Sequence, residues 1–286
     1  MKPAKLIAEI GCNHKGDINI ATEMIKTAAL FCKVDGVKFQ KRTPKELLTR
    51  EEYNAPHPNP THSYGKTYGE HREYLEFDIK THIELKKICD DLNLIYSCSV
   101  WDLTAAKEIL TLKPKIVKIP SACNTNNNLL EYVSKEHEGE IHISLGMTFI
   151  KEEEKIIDIL LKHNRAKDTV LYACTSGYPV KFSEVNLLEI KRLKQKYGEI
   201  IKEVGFSGHH LGIAIDIAAY TLGAIWIERH YTLDRTWKGT DHAASLEPDG
   251  LRRLKRDLQA TEEALAHKKK EILDVEIAQR KKLKRF

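Results

Sequence analysis

The run Val204-Gly-Phe-Ser-Gly-His209, the segment 211–222 and the run Ala224-Ile-Trp-Ile-Glu-Arg-His-Tyr231 read as strand, helix and strand. Both outer runs are short and apolar, and the middle segment has helical spacing, which is the pattern of a parallel β-α-β unit. Six more apolar runs precede this unit, at 5–11, 36–40, 94–100, 116–121, 141–146 and 169–175. Between them, Ile18, Ala21, Ile25 and Ala28 form one helical stripe. Ile83, Ile88 and Leu92 form another, which Thr81 and Glu84 are expected to open as a capping box. Further helices fit 104–111, 127–137, 151–163 and 183–197. Eight strands, each followed by a helix, in a chain of 286 residues predict a (β/α)8 TIM barrel, a fold of typically ~250 residues. The barrel is expected over residues 1–265, with a basic C-terminal helical tail over 266–286. A doubly wound open sheet is the fallback, weakened because no G-x-G-x-x-G or Walker pattern follows any strand.

Composition narrows the class. The chain is 42% hydrophobic and 30% charged, and no apolar run approaches the roughly 18 residues of a spanning helix. Without a cleavable leader pattern, it reads as a soluble cytoplasmic protein. Its six cysteines include no C-x-x-C, so zinc-ribbon and thioredoxin readings fail. The formal charge of +5 sits at one end: residues 251–286 hold twelve Lys/Arg and six Asp/Glu, a net of +6, leaving −1 for the rest. No aromatic residues interleave those charges, so a solvated terminal helix is expected and nucleic acid is not an expected partner.

Barrel chemistry sits where the strands end at the C-terminal face. There the strands offer Glu9, Lys38 with Gln40, Lys118 with Ser121, Ser144, Ser176 with Tyr178, Ser207 with His209, and Glu228 with His230. Period-two alternation places Lys38 with Gln40, Ser207 with His209, and Glu228 with His230 on one side of their strands. His209 and His230, on neighbouring strand ends with Glu228 and Asp241 near, can converge on a divalent ion. The same alternation turns His210 and Cys12 away from it. Two lysines in a barrel mouth imply an anionic ligand or buried carboxylates, and the serines add neutral hydrogen bonds. The 38 residues from Lys41 to Asp78 form an unusually long connection, expected to be a substrate-covering loop.

The segments Ala8-Glu-Ile-Gly-Cys-Asn-His14, Val37-Lys-Phe-Gln-Lys41, Gly65-Lys-Thr-Tyr-Gly-Glu-His71, Cys174-Thr-Ser-Gly-Tyr-Pro179, Phe206-Ser-Gly-His209 and the long run 227–248 closely resemble the sialic acid synthase family. The likeness covers residues 5 to about 265 in collinear order. It implies condensation of phosphoenolpyruvate with an open-chain aldose, N-acetylmannosamine or a related amino sugar, to a 2-keto-3-deoxy acid and phosphate. It further implies a divalent cofactor, Mn²⁺ first with Mg²⁺ or Co²⁺ as alternatives, and a homodimer. By the resemblance His209 and His230 are metal ligands, and Lys38, Lys118, Ser121, Ser144, Ser176 and Ser207 hold phosphoenolpyruvate. Gln40, Tyr178 and Asp241 contact the sugar, while Glu9 and Glu228 are acids near the reacting centre.

Two departures bear on the substrate. After Lys118-Ile-Pro-Ser121 the family commonly has Gly and an acid that reaches the sugar, whereas this chain has Ala122 and Cys123. That contact is expected to move to Asn124 or Glu228. Family members also usually continue into an antifreeze-like domain that recognises the N-acetyl group, so a different aldose, or a domain supplied by another polypeptide, is expected here. The competing functions are a synthase of a shorter keto-deoxy sugar phosphate and a non-catalytic barrel acting as an assembly partner. The former needs a second basic pocket, for which Arg42, Lys66, Arg72 and Arg229 are candidates, and the segment resemblance argues against it.

Overall fold

The computed structural model describes residues 2–285. Its strands are β1 Lys5–Gly11, β2 Gly36–Lys41, β3 Ile95–Val100, β4 Ile116–Ile119, β5 Glu140–Ser144, β6 Thr169–Cys174, β7 Glu203–Gly208 and β8 Trp226–His230. All pair in parallel with their sequence neighbours, and β8 closes on β1 to complete the predicted barrel. The alternation along each strand sorts residues by height. Ile7, Ile116, Val170, Tyr172, Ile225 and Trp226 form a separate apolar cluster inside the barrel. Two residues further along β1, β4, β6 and β8 come Glu9, Lys118, Cys174 and Glu228, which line the cavity above that plug. Gly205 lets the plug fill: a Cβ there would stand 2.7 Å from the Tyr172 ring. Residues of the opposite parity, such as Leu6, Ala8, Val37 and Ile227, join the larger core under the helices.

Side-chain caps begin several helices close behind strand ends. Asp17 caps Ile18–Leu30, Asp102 caps Leu103–Leu110 and Asn126 caps Asn127–Glu136, each cap contributing about 0.5–2 kcal/mol. The expected capping box at Thr81 is overturned: Asp78 is the cap, accepting from the Thr81 amide at 2.8 Å, and Thr81 lies inside the helix Ile79–Asp91. That earlier start shifts the buried stripe to His82, Leu85 and Cys89 and leaves Ile83 exposed. The helix expected over 183–197 divides into a 3-10 turn Phe182–Glu184 and a helix Glu189–Tyr197. The one expected over 211–222 shortens to Ala214–Thr221.

The long connection after β2 is built largely of short helices. It carries helices Pro44–Leu47, Arg50–Asn54 and Tyr68–Tyr74 and a 3-10 turn Pro60–His62. Capping boxes at Thr49 and Thr67 start two of these helices. The Tyr64 hydroxyl donates to the Lys238 carbonyl, and the Gly239 amide donates to His62, so the excursion is tied to the segment after β8. It forms a wall beside the barrel mouth. The helix Pro248–Ala264 completes the outer ring, and the basic tail carries Asp274–Leu283, whose Val275 and Leu283 are exposed.

Candidate active site

The barrel mouth holds a cavity of about 250 Å³ whose charged groups interlock. Lys38 from β2 reaches Glu9 on β1 at 2.5 Å and the Ser99 hydroxyl on β3 at 2.6 Å. Lys118 from β4 donates to Glu228 on β8 at 3.2 Å, and its ammonium stands 3.3 Å from the centre of the Tyr172 ring below. Glu228 also accepts from Ser207 at 3.1 Å and lies 3.8 Å from Lys38, so one carboxylate serves both lysines. Gln40 donates to the other oxygen of Glu9 at 2.9 Å.

Burial and these pairings drive the two acids apart. Burial raises the Glu9 carboxyl to about 7, with Lys38 opposing and Glu228 reinforcing the shift. For Glu228, burial acts in the same direction but the two lysines outweigh it, leaving the group at about 2. Burial lowers Lys118 to about 8 despite Glu228. At neutral pH Glu228 is ionised while Glu9 exchanges its proton readily, an arrangement suited to acid–base work.

The serines surround the same space. Ser121 accepts from the Gly146 amide at 3.1 Å, and Ser144, Ser176 and Ser207 face the cavity from the next three strand ends. Gly146 is required where it stands: a Cβ would meet the Ser176 hydroxyl at 2.4 Å and that of Ser121 at 2.8 Å.

His209 and His230 meet as expected, with ring centres 5.5 Å apart. His209 Nδ1 donates to the Thr175 carbonyl at 2.9 Å, which leaves Nε2 as the lone-pair nitrogen. Burial lowers His230 to about 4, keeping it neutral, and its Nδ1 is buried without a hydrogen-bond partner. Tyr178 stands against both rings, at 4.3 and 5.6 Å. Among the described residues no group of three or more His, Cys, Asp or Glu side chains could hold a metal ion. What the site offers a divalent ion is two nitrogens only, Nε2 of His209 and the unpartnered Nδ1 of His230, so any such ion would take its remaining ligands from water or substrate oxygens.

Of the expected site residues, Asp241 alone lies outside this cavity. It lines a neighbouring one and sits 4.0 Å from His230. His210 turns away into a buried cluster with Arg229 and Asp216, as alternation requires. Asn124 does not replace the missing acid: its amide donates to the Ser144 carbonyl and the Thr148 hydroxyl and is spent on the β4–β5 loops. Cys123 packs in the core under the helices, so Ala122 faces the cavity instead. The sequence reading missed Ser99, Trp101 and Cys174. Ser99 was legible in the Ser97-Cys98-Ser99 alternation, whereas Cys174 has no sequence signal.

Buried lysines, carboxylates of opposed acidity and a pair of imidazoles at the C-terminal mouth of a closed parallel barrel define a (β/α)8 enzyme acting on small anionic molecules. The chain belongs to the NeuB family, whose model matches residues 24–270. It is 37% identical over 281 residues to N-acetylneuraminate-9-phosphate synthase of Mus musculus, spanning 98% of this chain and 76% of the mouse protein. It is 35% identical over 266 residues to N,N'-diacetyllegionaminic acid synthase of Campylobacter jejuni, spanning 93% and 78%. The N-acetylneuraminic acid (sialic acid) synthetase of Leptospira borgpetersenii, solved in complex with citrate, superposes with a TM-score of 0.82 at 30% identity, covering 100% of this chain and 94% of that one.

Proposed function

We propose that the protein condenses phosphoenolpyruvate with an open-chain amino sugar, N-acetylmannosamine or a relative, to give a nonulosonic 2-keto-3-deoxy acid and inorganic phosphate. The convergence of Lys38, Lys118 and the serines on one cavity carries this reading. Phosphoenolpyruvate presents a phosphate and a carboxylate on neighbouring atoms, and two ammonium groups with a ring of hydroxyls match both. The named products of the relatives supply the second half, an acid built on an amino sugar.

C3 of the enol attacks the aldehyde carbon, and the new C–C bond leaves an alkoxide on the sugar and an oxocarbenium at C2. Glu9, near neutrality, gives its proton to the alkoxide and then takes one from the water that adds at C2. The resulting tetrahedral centre collapses to the ketone: the C2–O–P carbon–oxygen bond breaks and the C2 hydroxyl proton leaves on the departing phosphate. A divalent ion held by His209 and His230 would supply Lewis acidity at the aldehyde oxygen. Lys38 and Lys118 fix the enol face, a positioning effect of several kcal/mol.

Phosphate release from phosphoenolpyruvate, Mn²⁺ and a panel of aldoses, with mass spectrometry of the product, tests the assignment. Turnover is expected with an amino sugar and is lost with EDTA and in both His209→Ala and His230→Ala. Absence of release with every aldose would refute the reaction; activity retained in both histidine variants would remove the metal.

A further inference from the structure

The barrel plug carries a polar thread. Tyr172 on β6 and His142 on β5 lie inside the barrel, 0% and 2% exposed, and share a hydrogen bond of 2.8 Å between the phenol oxygen and His142 Nδ1. His142 Nε2 faces Glu140 Oε2 at 3.5 Å, and the other oxygen of that carboxylate meets Lys202 at 3.0 Å, where β5 begins. On the cavity side, the Lys118 ammonium stands 3.3 Å from the centre of the Tyr172 ring. Polar groups thus run from the N-terminal end of the barrel to the cavity, through a layer that Ile7, Ile116, Val170, Ile225 and Trp226 otherwise fill.

The thread has a direction. Burial lowers His142 to about 4 against the opposing pull of Glu140, so the imidazole is neutral. A neutral imidazole has one N–H, and placing it on Nε2 avoids setting a lone pair against the carboxylate. Nδ1 then accepts, so the Tyr172 hydroxyl donates to it. Each group polarises the next, which pushes electron density toward the ring beneath Lys118. Gly205 confines the same ring from another side, since a Cβ there would stand 2.7 Å from it.

Lys118 needs such a floor for a physical reason. Among the described residues its one carboxylate partner, Glu228, is shared with Lys38. A second carboxylate below would cancel the charge that an anion has to meet. An aromatic face stabilises a buried ammonium through its quadrupole and leaves the net charge intact. We infer that Tyr172 is a positioning residue for phosphoenolpyruvate, seating the Lys118 ammonium toward the cavity, and that His142 acts through the Tyr172 hydroxyl to hold the ring in place. This rests on the reaction proposed above. Neither Tyr172 nor His142 lines the cavity, so both act on the substrate through Lys118.

The test measures the Kd of phosphoenolpyruvate by calorimetry, and KM and kcat with the accepted aldose. It compares the full chain with Tyr172→Leu, Tyr172→Phe, His142→Leu and the Tyr172→Phe/His142→Leu pair. Tyr172→Leu, which removes the ring, should raise Kd and KM ~10–30-fold with kcat within ~3-fold. Tyr172→Phe keeps the ring and should restore most of this, leaving a ~5-fold rise from the lost hydrogen bond. His142→Leu should match Tyr172→Phe, and the pair should be no worse than either single variant. An unchanged Kd in Tyr172→Leu, a loss confined to kcat, or full multiplication of the two effects in the pair overturns the inference while the condensation stands. Should Tyr172→Leu not fold, the cycle of Tyr172→Phe and His142→Leu decides alone. If no aldose turns over, the reaction assignment fails; the same order of Kd values then still supports the floor, and its absence overturns it.

Discussion

Replacing Arg229 by Met should cost the barrel a large part of its stability without touching the cavity lining. Arg229 is 1% exposed and Asp216, its partner, is 0% exposed. The guanidinium also donates to the His210 carbonyl at 2.6 Å and the Gly212 carbonyl at 2.8 Å, joining β8 to the loop after β7. Removing it leaves a buried carboxylate unpaired, a loss of ~3–5 kcal/mol, against a total of ~5–15 kcal/mol for a typical domain. Asp216→Leu should cost a similar amount, because it strands the guanidinium. The double variant removes both charges and leaves the His210 and Gly212 carbonyls and His210 Nε2 short of partners, at ~1–3 kcal/mol each, a loss the Arg229 single variant largely shares. It should therefore be far less destabilised than the two singles added together, with a coupling of at least ~2 kcal/mol. Urea unfolding followed by tryptophan fluorescence reads this, since Trp226 sits in the barrel plug and is exposed when the barrel unfolds. Additivity of the two single losses within ~0.5 kcal/mol would refute the argument that the pair is held as a buried ion pair.

Glu9 should impose a pH dependence on stability. Its folded value of about 7 exceeds its ordinary 4.5, so the folded state binds the proton more tightly; this contribution is full below pH 4.5 and fades as pH rises through 7. Across that window the wild type should lose stability relative to Glu9→Gln by on the order of 3 kcal/mol, and parallel urea-unfolding profiles for the two proteins would count against it. Gly146→Ala should displace Ser121 and Ser176, raising KM for phosphoenolpyruvate ~10-fold with a smaller change in kcat; an unchanged KM would show that those hydroxyls do not hold this substrate.

The eight strands, their order and the inward set from Glu9 to His230 were legible because period-two alternation is local: once the sheet is parallel and closed, parity alone decides which side chains face inside. The resemblance in the segments around Lys38, His209 and His230 likewise survived folding, since each segment is one strand end. What required the tertiary structure was every choice among local options. Asp78 and Thr81 can each cap a helix, and only the chain's path out of the excursion selects Asp78. Asn124 and Ser121 are both polar residues just past β4, but the turn there aims one at the Ser144 backbone and the other at the cavity. The opposed acidities of Glu9 and Glu228 are likewise beyond sequence. Two buried carboxylates look alike in a strand, and what separates them is that Glu228 stands between two lysines while Glu9 has one.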